Sequence, residues 1–383
     1  MKTRLISILS ILILLVSCEV VNEINLQSKT FTNIQQDSFP FQYSKKLIVV
    51  EAFLNNSNQA NQFIFDTGAF QSKIEYSLAE EIGLETFSKR DNGTAQEIER
   101  EIEITKVDSV QFAKSIFGNI AAGKLKYDKQ SYSPCVAQDG IIGSNLIKLA
   151  HWKFDYQKKH IYISKTAFLP TEENLIYIDY TTSFMSGVPL INLEIEGETI
   201  EDVIFDLGYN GSLVVPKQYA NQFQNNKTEL FIDQSTTGIF GSNRDTLLVK
   251  ELNVKMNNYK MNIPVEFSSL NKSLLGNDIL EHFTIYLNPE DQKIILQPIS
   301  TVEVDQNKKF IPGVLNDSLW IVNRTSPELS IEIGDTLTSI NSYQPKDLFK
   351  THCDYFLELD LLFNQDTLRL ENTLGEVLKL TMY

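Results

Sequence analysis

The sequence predicts a mainly β protein made of two copies of one unit and a smaller C-terminal segment. Short apolar runs alternate with turns rich in Asn, Gly and Asp, a pattern typical of strands. One phrase occurs twice, as DTG beginning at Asp66 and as DLG beginning at Asp206, each time after an apolar run ending in Ile-Phe. With 383 residues, the chain is long enough for two or three domains with sizeable cores.

The N-terminus predicts an export signal. Two basic residues precede an apolar run from Leu5 to Val16, which is short for a membrane span and fits the core of a signal peptide over residues 1–17. The run ends in LVSC, which resembles a bacterial lipobox, so Cys18 is the predicted lipidation site. An ordinary signal peptide followed by a chance cysteine is the alternative.

After this signal we expect a polar tether over residues 18–40, where Asn, Gln and Ser are prominent. Acyl chains on Cys18 would anchor an otherwise soluble protein to a membrane. The N-terminal segments together predict an exported, membrane-anchored bacterial lipoprotein of the cell envelope.

Composition bears on the possible partners. The chain is 42% hydrophobic and 22% charged, which is typical of a globular protein. Its net charge of -15 argues against a nucleic-acid partner, because phosphate binding needs a surface rich in Lys and Arg. The four histidines show no metal-ligand spacing, so we expect neither a metal site nor a cofactor.

Two cysteines follow the N-terminal segments, Cys135 and Cys353. They lie in parts of the chain that the repeat assigns to different domains, so the expectation is two free, buried thiols. A single disulfide in an exported protein is the alternative.

The repeat covers whole strand-turn-strand units. In the first copy, KKLIVVEAFLNN and QFIFDTGAF predict two strands joined by a polar turn at residues 55–61. In the second copy, VPLINLEIEGETIEDVIFDLG predicts the same unit, with its turn at residues 196–198.

A second motif, two apolar residues and a glycine, follows each Asp-x-Gly. It ends at Gly143 in the first copy and at Gly276 in the second, and 18 positions later each copy has an isoleucine, Ile161 or Ile294. The spacing from aspartate to this glycine is 77 residues in the first copy and 70 in the second, a difference that loops tolerate. A shared register of this length indicates an internal duplication.

Two carboxylates, one from each copy, suit peptide hydrolysis by an activated water. Like charges held close together cannot both ionise easily, so the pair shares one proton; one member accepts a proton from water and the other donates to the scissile carbonyl. Each aspartate needs a rigid turn, a glycine that permits close backbone approach, and a hydroxyl that bonds across the pair. The predicted catalytic residues are Asp66 and Asp206, supported by Thr67, Gly68 and Gly208.

These motifs resemble those of the retropepsin-like aspartic peptidases, in the bacterial form with two lobes fused in one polypeptide. The resemblance spans roughly residues 41 to 300 and implies two pseudo-two-fold-related acid-protease β-barrel lobes, over residues 41–170 and 171–300. In the family, the segments ending at Gly143 and Gly276 brace the active-site loops. The implied activity is that of an aspartic endopeptidase on polypeptide substrates.

The resemblance also implies a flap, a hairpin that closes over substrate. The candidate segments are KRDNGTAQ, around Gly93, and QSTTGIFGSN, which contains Gly238 and Gly241. Each candidate lies between the aspartate and the brace of its own lobe.

One departure from the family pattern lies at Leu207. The pattern has Thr or Ser after each aspartate, which Thr67 satisfies, whereas a leucine offers no hydroxyl to bond across the lobes. Asn210 and Ser212 are candidates for supplying a polar group there. For Asp206 the alternative is a turn-capping role, and for the chain it is a degenerate peptidase that binds peptides without cutting them.

The sequence pattern changes after the second copy. Residues 305 to 383 resemble a PDZ domain, with IGD at 333–335 and SIN at 339–341 as the matching core, which implies a small PDZ-like domain over residues 301–383. Such modules bind extended peptides by strand addition, so a peptide ligand is implied. Only Gly313 stands where a Gly-rich carboxylate-binding loop is expected. The alternative is a β appendage that packs on the second lobe.

Overall fold

The computed structural model describes residues 30–31, 35–94, 97–182, 186–224, 226–304, 307–365 and 367–381. The predicted signal peptide, the lipidation site Cys18 and most of the predicted tether lie outside these residues. The described part is mainly β, as the alternating apolar pattern predicts. None of the described helices is long and apolar enough to cross a membrane.

Strands make up most of the described secondary structure. In chain order they are β1 (Thr30–Phe31), β2 (Gln36–Pro40), β3 (Gln42–Ser44), β4 (Leu47–Leu54), β5 (Ala60–Phe65), β6 (Ser72–Glu75), β7 (Thr86–Gly93), β8 (Glu99–Phe112), β9 (Ser115–Leu125), β10 (Gly140–Ile142), β11 (His151–Asp155), β12 (His160–Ser164), β13 (Ile176–Asp179), β14 (Thr181–Thr182), β15 (Pro189–Ile195), β16 (Glu198–Phe205), β17 (Leu213–Pro216), β18 (Glu229–Asp233), β19 (Asp245–Met256), β20 (Tyr259–Ser268), β21 (Leu274–Leu275), β22 (Phe283–Asn288), β23 (Lys293–Pro298), β24 (Ile311–Asn316), β25 (Leu319–Thr325), β26 (Thr336–Ile340), β27 (Thr367–Asn372) and β28 (Val377–Thr381).

The described helices are short. The α-helices are α1 (Tyr76–Glu81), α2 (Ser133–Val136), α3 (Ser144–Ile147), α4 (Asn277–Leu280), α5 (Pro345–Leu348) and α6 (His352–Glu358). The 3-10 helices are Lys217–Phe223 and Leu359–Phe363.

The first half of the chain forms a closed ring of six strands. The ring runs β4, β5, β10, β6, β9, β8 and returns to β4. The β5–β10 and β6–β9 contacts are parallel and the other four are antiparallel. β7 pairs with β8 outside the ring and forms a long hairpin with it.

The second half forms a ring with the same strand order. It runs β15, β16, β21, β17, β20, β19 and returns to β15, with parallel contacts at β16–β21 and β17–β20. β18 pairs with β19 as β7 pairs with β8. Both residues of the β15–β16 turn, Glu196 and Gly197, have positive φ, which is typical of a tight hairpin and agrees with the turn that the sequence predicts there. The matching rings are the arrangement expected of an internal duplication.

A six-stranded antiparallel sheet joins the two halves, in the order β2, β12, β11, β22, β23, β13. At its centre Lys153 of β11 lies opposite Tyr286 of β22. Each of these residues follows its own motif glycine, Gly143 or Gly276, by ten positions. Equivalent positions of the two copies therefore face each other, which places a local pseudo-two-fold axis at this contact.

The end of the segment predicted as a tether is a strand of this joining sheet. β2 covers residues 36–40 and pairs along its length with β12, with Phe39 opposite Ile161. The side chain of Phe39 is buried and stacks on Phe112 at 5.0 Å between ring centroids. This single buried aromatic fixes which face of a mostly polar strand points inward.

The C-terminal segment continues the second sheet and has its own core. Its strands follow one another as β24, β25, β26, β27 and β28, and β25 also pairs with β18. Trp320, Phe310 and Leu368 are among its fully buried side chains. Arg324 of β25 donates to the carboxylate of Asp233 in β18 at 2.6 Å, so a buried ion pair joins this segment to the second half.

The expectation of free thiols at Cys135 and Cys353 is wrong, because these two residues form a disulfide. Their Cα atoms are 5.1 Å apart across a sequence separation of 218 residues. Helix α6 of the C-terminal segment packs on α2 of the first half, with the rings of Tyr132 and Phe356 stacked at 4.7 Å. The sequence assigned the two cysteines to different domains, and this packing brings those parts of the chain together.

Candidate active site

Asp66 and Asp206 occupy equivalent positions directly after β5 and β16. The Asp66 N–H donates to the carbonyl of Ile142 at 3.0 Å, and the Asp206 N–H donates to that of Leu275 at 2.9 Å. These acceptors belong to the apolar-apolar-Gly segments, which run parallel to β5 and β16 as β10 and β21. The segments thus brace the two aspartate loops through the same hydrogen bond in each half.

The two aspartates meet at one seam between the halves. Their carboxyl groups are close enough for each to act on the pKa of the other. A methyl group built on Gly68 would overlap the carboxylate of Asp206, and one on Gly208 would overlap that of Asp66. Each glycine therefore lacks a side chain because the carboxylate of the other half takes up that space.

Backbone N–H groups of each loop hold the carboxylates in place. Ala69 donates to Oδ1 of Asp66 at 2.7 Å, and Gly208 donates to Oδ1 of Asp206 at 2.8 Å. Such bonds stabilise an ionised carboxylate and fix its orientation. Both carboxylates line one cavity of about 560 Å³.

Burial raises the pKa of both carboxyl groups. For Asp66 the rise is opposed first by the positive charge of Lys73 and then by the N–H of Ala69. For Asp206 the nearby charge of Asp66 adds to burial, and the pKa lies well above its usual value. The pair therefore favours a state with one shared proton, in which Asp206 is protonated and Asp66 is ionised.

One of the two expected cross-lobe braces is present. The hydroxyl of Thr67 donates to the carbonyl of Phe205 at 2.6 Å and accepts from the N–H of Leu207 at 2.9 Å. Leu207 is fully buried in the main hydrophobic core. The carbonyl of Ser212 accepts the Gly276 N–H at 2.7 Å, and Asn210 lines the cavity as an exposed residue.

Ser144 and Asn277 hold the two aspartate loops by hydrogen bonds, a role that was not predicted from the sequence. The Ser144 hydroxyl donates to the carbonyl of Thr67 at 2.6 Å, and Nδ2 of Asn277 donates to the carbonyl of Leu207 at 2.7 Å. Both residues directly follow a motif glycine, Gly143 or Gly276. The shared register of the repeat identifies them as equivalent positions in the two copies, and this is the sequence signal that could have found them.

Both flap candidates border the cavity. Gly93 ends β7, in the β7–β8 hairpin, and lines the cavity together with its neighbour Thr94. Gly238 lines it from the segment between β18 and β19, and its N–H donates to the carbonyl of Gly241 at 2.8 Å. The second segment is docked on the first half, because the Asp128 N–H donates to the carbonyl of Ile239 at 3.0 Å.

The C-terminal segment forms part of the cavity wall, which the sequence did not indicate. Phe356, Leu359 and Phe363 of α6 and the following 3-10 helix line the cavity together with the aspartates. The carboxylate of Asp360 accepts from Lys45 at 2.7 Å and from Lys308 at 2.8 Å. Its pKa is lowered to about 2, because these two ammonium groups outweigh the effect of its burial.

No protein-family model matches the chain, and no curated protein matches it. Two carboxyl groups from equivalent positions, Asp206 buried and Asp66 half-buried, lie close together in the wall of a cavity large enough for several side chains of a peptide. Such a pair can activate a water molecule while donating a proton to an electrophile.

Proposed function

We propose that the protein is an aspartic endopeptidase of the retropepsin-like class, in which Asp66 and Asp206 activate the attacking water. One observation carries the proposal: two carboxyl groups, contributed by equivalent loops of a duplicated β unit, lie at one seam, each against the glycine of the other loop. A buried like-charge pair is costly to keep, so a role in acid-base chemistry accounts for its presence.

The pKa of both carboxyl groups is raised, and that of Asp206 is raised further, so in this proposal each aspartate has its own role. Ionised Asp66 accepts a proton as the water oxygen attacks the scissile carbonyl carbon, and protonated Asp206 donates its proton to the carbonyl oxygen. Collapse of the tetrahedral intermediate breaks the C–N bond, and the proton held by Asp66 passes to the leaving nitrogen. The final proton transfer, from a hydroxyl of the intermediate to Asp206, restores the starting state of the pair.

The two rings of strands correspond in this proposal to the peptidase lobes, residues 41–170 and 171–300. The β7–β8 hairpin with Gly93 acts as the flap. The PDZ-like segment, residues 301–383, helps to present a polypeptide substrate, and the presence of Phe356 and Phe363 in the cavity wall supports this role.

We further propose that the protein acts outside the cytoplasm, anchored to the membrane through Cys18. The N-terminal sequence is the basis of this proposal, and the disulfide between Cys135 and Cys353 supports it. Disulfides form and persist in oxidising compartments such as the bacterial cell envelope.

Peptide binding without cleavage is the second candidate function. Leu207 favours it, because the loop that carries Asp206 lacks the hydroxyl that Thr67 provides on the other loop. In this case the cavity and the C-terminal segment hold a peptide and the carboxylates only shape the site.

The test is cleavage of a denatured protein or a peptide library between mildly acidic and neutral pH. Asp66→Asn and Asp206→Asn should each abolish cleavage. Pepstatin, whose hydroxyl binds a formed pair of catalytic aspartates, should inhibit the wild-type protein; we call Asp66 and Asp206 together the dyad. Cleavage at the wild-type rate by either variant would exclude a catalytic role for the dyad. Peptide binding of equal strength in all three proteins, without cleavage in any, would select the second candidate.

A further inference from the structure

Lys73 is a buried lysine in the wall of the catalytic cavity. It lies on β6, seven residues after Asp66, and only 5% of its surface is exposed. Side chains alternate along a strand, so Lys73 points away from the core face that its neighbour Ile74 occupies. It lines the same cavity as the two aspartates.

The ammonium group of Lys73 has more hydrogen-bond donors than it has acceptors among the described residues. Among the described residues, its one hydrogen bond runs from Nζ to the carbonyl of Gln71 at 3.3 Å. An ammonium group carries three donors, and a buried charge is costly unless it is paired. Burial lowers the pKa of Lys73, and the charge of Asp66 opposes that shift.

A second cation lies on the same side of the cavity. The guanidinium of Arg90, on the flap hairpin, stacks on the ring of Phe70 at 4.8 Å and donates to Oε1 of Gln71 at 2.9 Å. Its charge acts on Lys73. Phe70 lines the cavity, so the hairpin that carries Arg90 adds positive charge near Lys73.

The cavity as a whole carries an excess of positive charge in a chain whose net charge is -15. Its lining lysines, including Lys73, outnumber its lining carboxylates, one of which holds the proton of the dyad. The lysines are Lys45, Lys73, Lys272 and Lys308, and the carboxylates are Asp66, Asp206 and Asp360. A local field of this sign, opposite to that of the protein, favours an anionic ligand.

We propose that Lys73 binds an acidic side chain of the substrate, so that the protein selects polypeptides with Asp or Glu close to the scissile bond. This inference rests on the proposed peptidase function and adds the substrate class. A substrate carboxylate satisfies the spare donors of Lys73 with charge-assisted hydrogen bonds. The lysine also offsets the repulsion between that carboxylate and ionised Asp66, and without this compensation an acidic residue beside the dyad would be disfavoured.

The first experiment measures binding without cleavage. The full-length Asp206→Asn protein is titrated with fluorescent peptides that are identical except for Glu or Gln at positions flanking the expected cleavage site. We expect about tenfold tighter binding of the best Glu peptide than of its Gln partner, the size of one charged hydrogen bond. Equal affinity for every Glu and Gln pair overturns the inference, whether or not the wild-type protein cleaves.

The second experiment uses the lysine itself. Lys73→Met keeps the unbranched side chain and removes the charge, and Lys126→Met removes an exposed lysine that is not among the residues lining the cavity. We expect Lys73→Met to lose the preference for Glu over Gln, with Gln-peptide affinity changed less than threefold, and Lys126→Met to retain it. A Lys73→Met protein that keeps the tenfold preference overturns the assignment to Lys73.

A cleavage-site profile of the wild-type protein on a proteome-derived peptide library tests the preference for acidic substrates separately from the peptidase activity. Asp or Glu enriched at one position near the cut supports the inference, and this readout does not depend on whether Lys73→Met folds. Cleavage with no acidic enrichment overturns the inference and leaves the peptidase proposal intact. Failure to cleave removes the peptidase proposal, and the binding titration then decides whether the cavity prefers acidic peptides.

Discussion

The hydroxyl of Thr67 accepts a hydrogen bond from the backbone N–H of Leu207 at 2.9 Å, across the seam between the two halves. The same hydroxyl donates to the carbonyl of Phe205 at 2.6 Å. Leu207 stands at the equivalent position of the other loop and has no hydroxyl with which to return these bonds. Across the seam, a side-chain hydroxyl therefore braces the pair of aspartates from the loop of Asp66, and no equivalent hydroxyl does so from the loop of Asp206.

Leu207→Thr should raise turnover, because a hydroxyl at this position can bond across the seam to the loop that carries Asp66. One or two added hydrogen bonds are worth about 0.5–1.5 kcal/mol each, so we expect a gain in kcat of up to about tenfold. The lost burial of apolar surface offsets part of the gain in stability. The measurement is kcat for a fixed peptide, with Tm followed in parallel. An unchanged kcat in a folded variant would show that the missing brace does not limit the reaction.

Thr67→Val tests the brace that is present. Valine matches the shape of threonine but leaves the carbonyl of Phe205 and the N–H of Leu207 buried without this partner. Each unsatisfied group costs about 1–3 kcal/mol, so we expect a clear fall in the free energy of unfolding together with a loss of cleavage. Urea denaturation measures the first and peptide cleavage the second. A variant as stable as the wild type would contradict the role of this hydroxyl.

The rate of cleavage should depend on pH as a bell-shaped curve. On the acid side activity appears as Asp66 loses its proton, and on the alkaline side it disappears as Asp206 loses its own. Burial and the charge of Asp66 hold the pKa of Asp206 well above the usual value, so we expect the alkaline limb to extend toward neutral pH. Initial rates in overlapping buffers give the profile. A single sigmoid without an alkaline limb would mean that Asp206 does not act as the acid.

Asp206→Asn should change how the stability of the fold depends on pH. A buried carboxyl with a raised pKa favours the folded state fully below its unfolded-state pKa, and this contribution is lost as the pH rises through the folded-state pKa. An asparagine does not titrate. We therefore expect the Tm of the variant relative to the wild type to increase steadily from about pH 4 upward. Thermal scans across this range make the comparison, and a constant difference in Tm would argue against a raised pKa.

Gly68→Ala and Gly208→Ala should each disrupt the dyad, because the added methyl group meets the carboxylate of the opposite half. Overpacking of this kind costs typically about 1–3 kcal/mol, and the displaced carboxylate should lose its catalytic position. Gly93→Ala is the matched control for folding, since its methyl group would meet Glu99 at an ordinary contact distance of 3.6 Å. Tm and cleavage are measured for all three variants. A fully active Gly208→Ala protein would contradict the close approach of the two loops.

Sequence reasoning predicts the meeting of the two aspartates for a physical reason. A duplicated unit that packs with its copy about a two-fold axis brings equivalent positions together, and Lys153 opposite Tyr286 is one instance in the joining sheet. The turn at Glu196 and Gly197 is similarly local, since a short connection between two strands requires residues that accept positive φ. Features set by symmetry or by a few neighbouring residues could thus be predicted from the sequence.

Contacts between distant and unrelated segments could not be predicted from the sequence. The pairing of Cys135 with Cys353 depends on how α6 packs against the first half, and no periodic pattern encodes that packing. The burial of Lys73 has the same origin, because a lysine on a short strand is expected to be exposed until the neighbouring segments are known. In both cases the tertiary arrangement, and not the local sequence, sets the chemistry of the residue.

Reduction of the disulfide should loosen the wall that the C-terminal segment contributes to the cavity. Closing a loop of 218 residues lowers the entropy of the unfolded chain, and the chain-entropy estimate for so long a loop is about 5 kcal/mol. We expect a reductant to lower the Tm and to speed trypsin cleavage near Lys308 and Lys309, in the connection before β24. The double variant Cys135→Ser, Cys353→Ser should show the lower Tm from the start and no further response to the reductant. Equal Tm values for the oxidised, reduced and double-variant proteins would mean that the ion pairs of Asp360 and the stacking on Tyr132 hold the segment without the covalent bond.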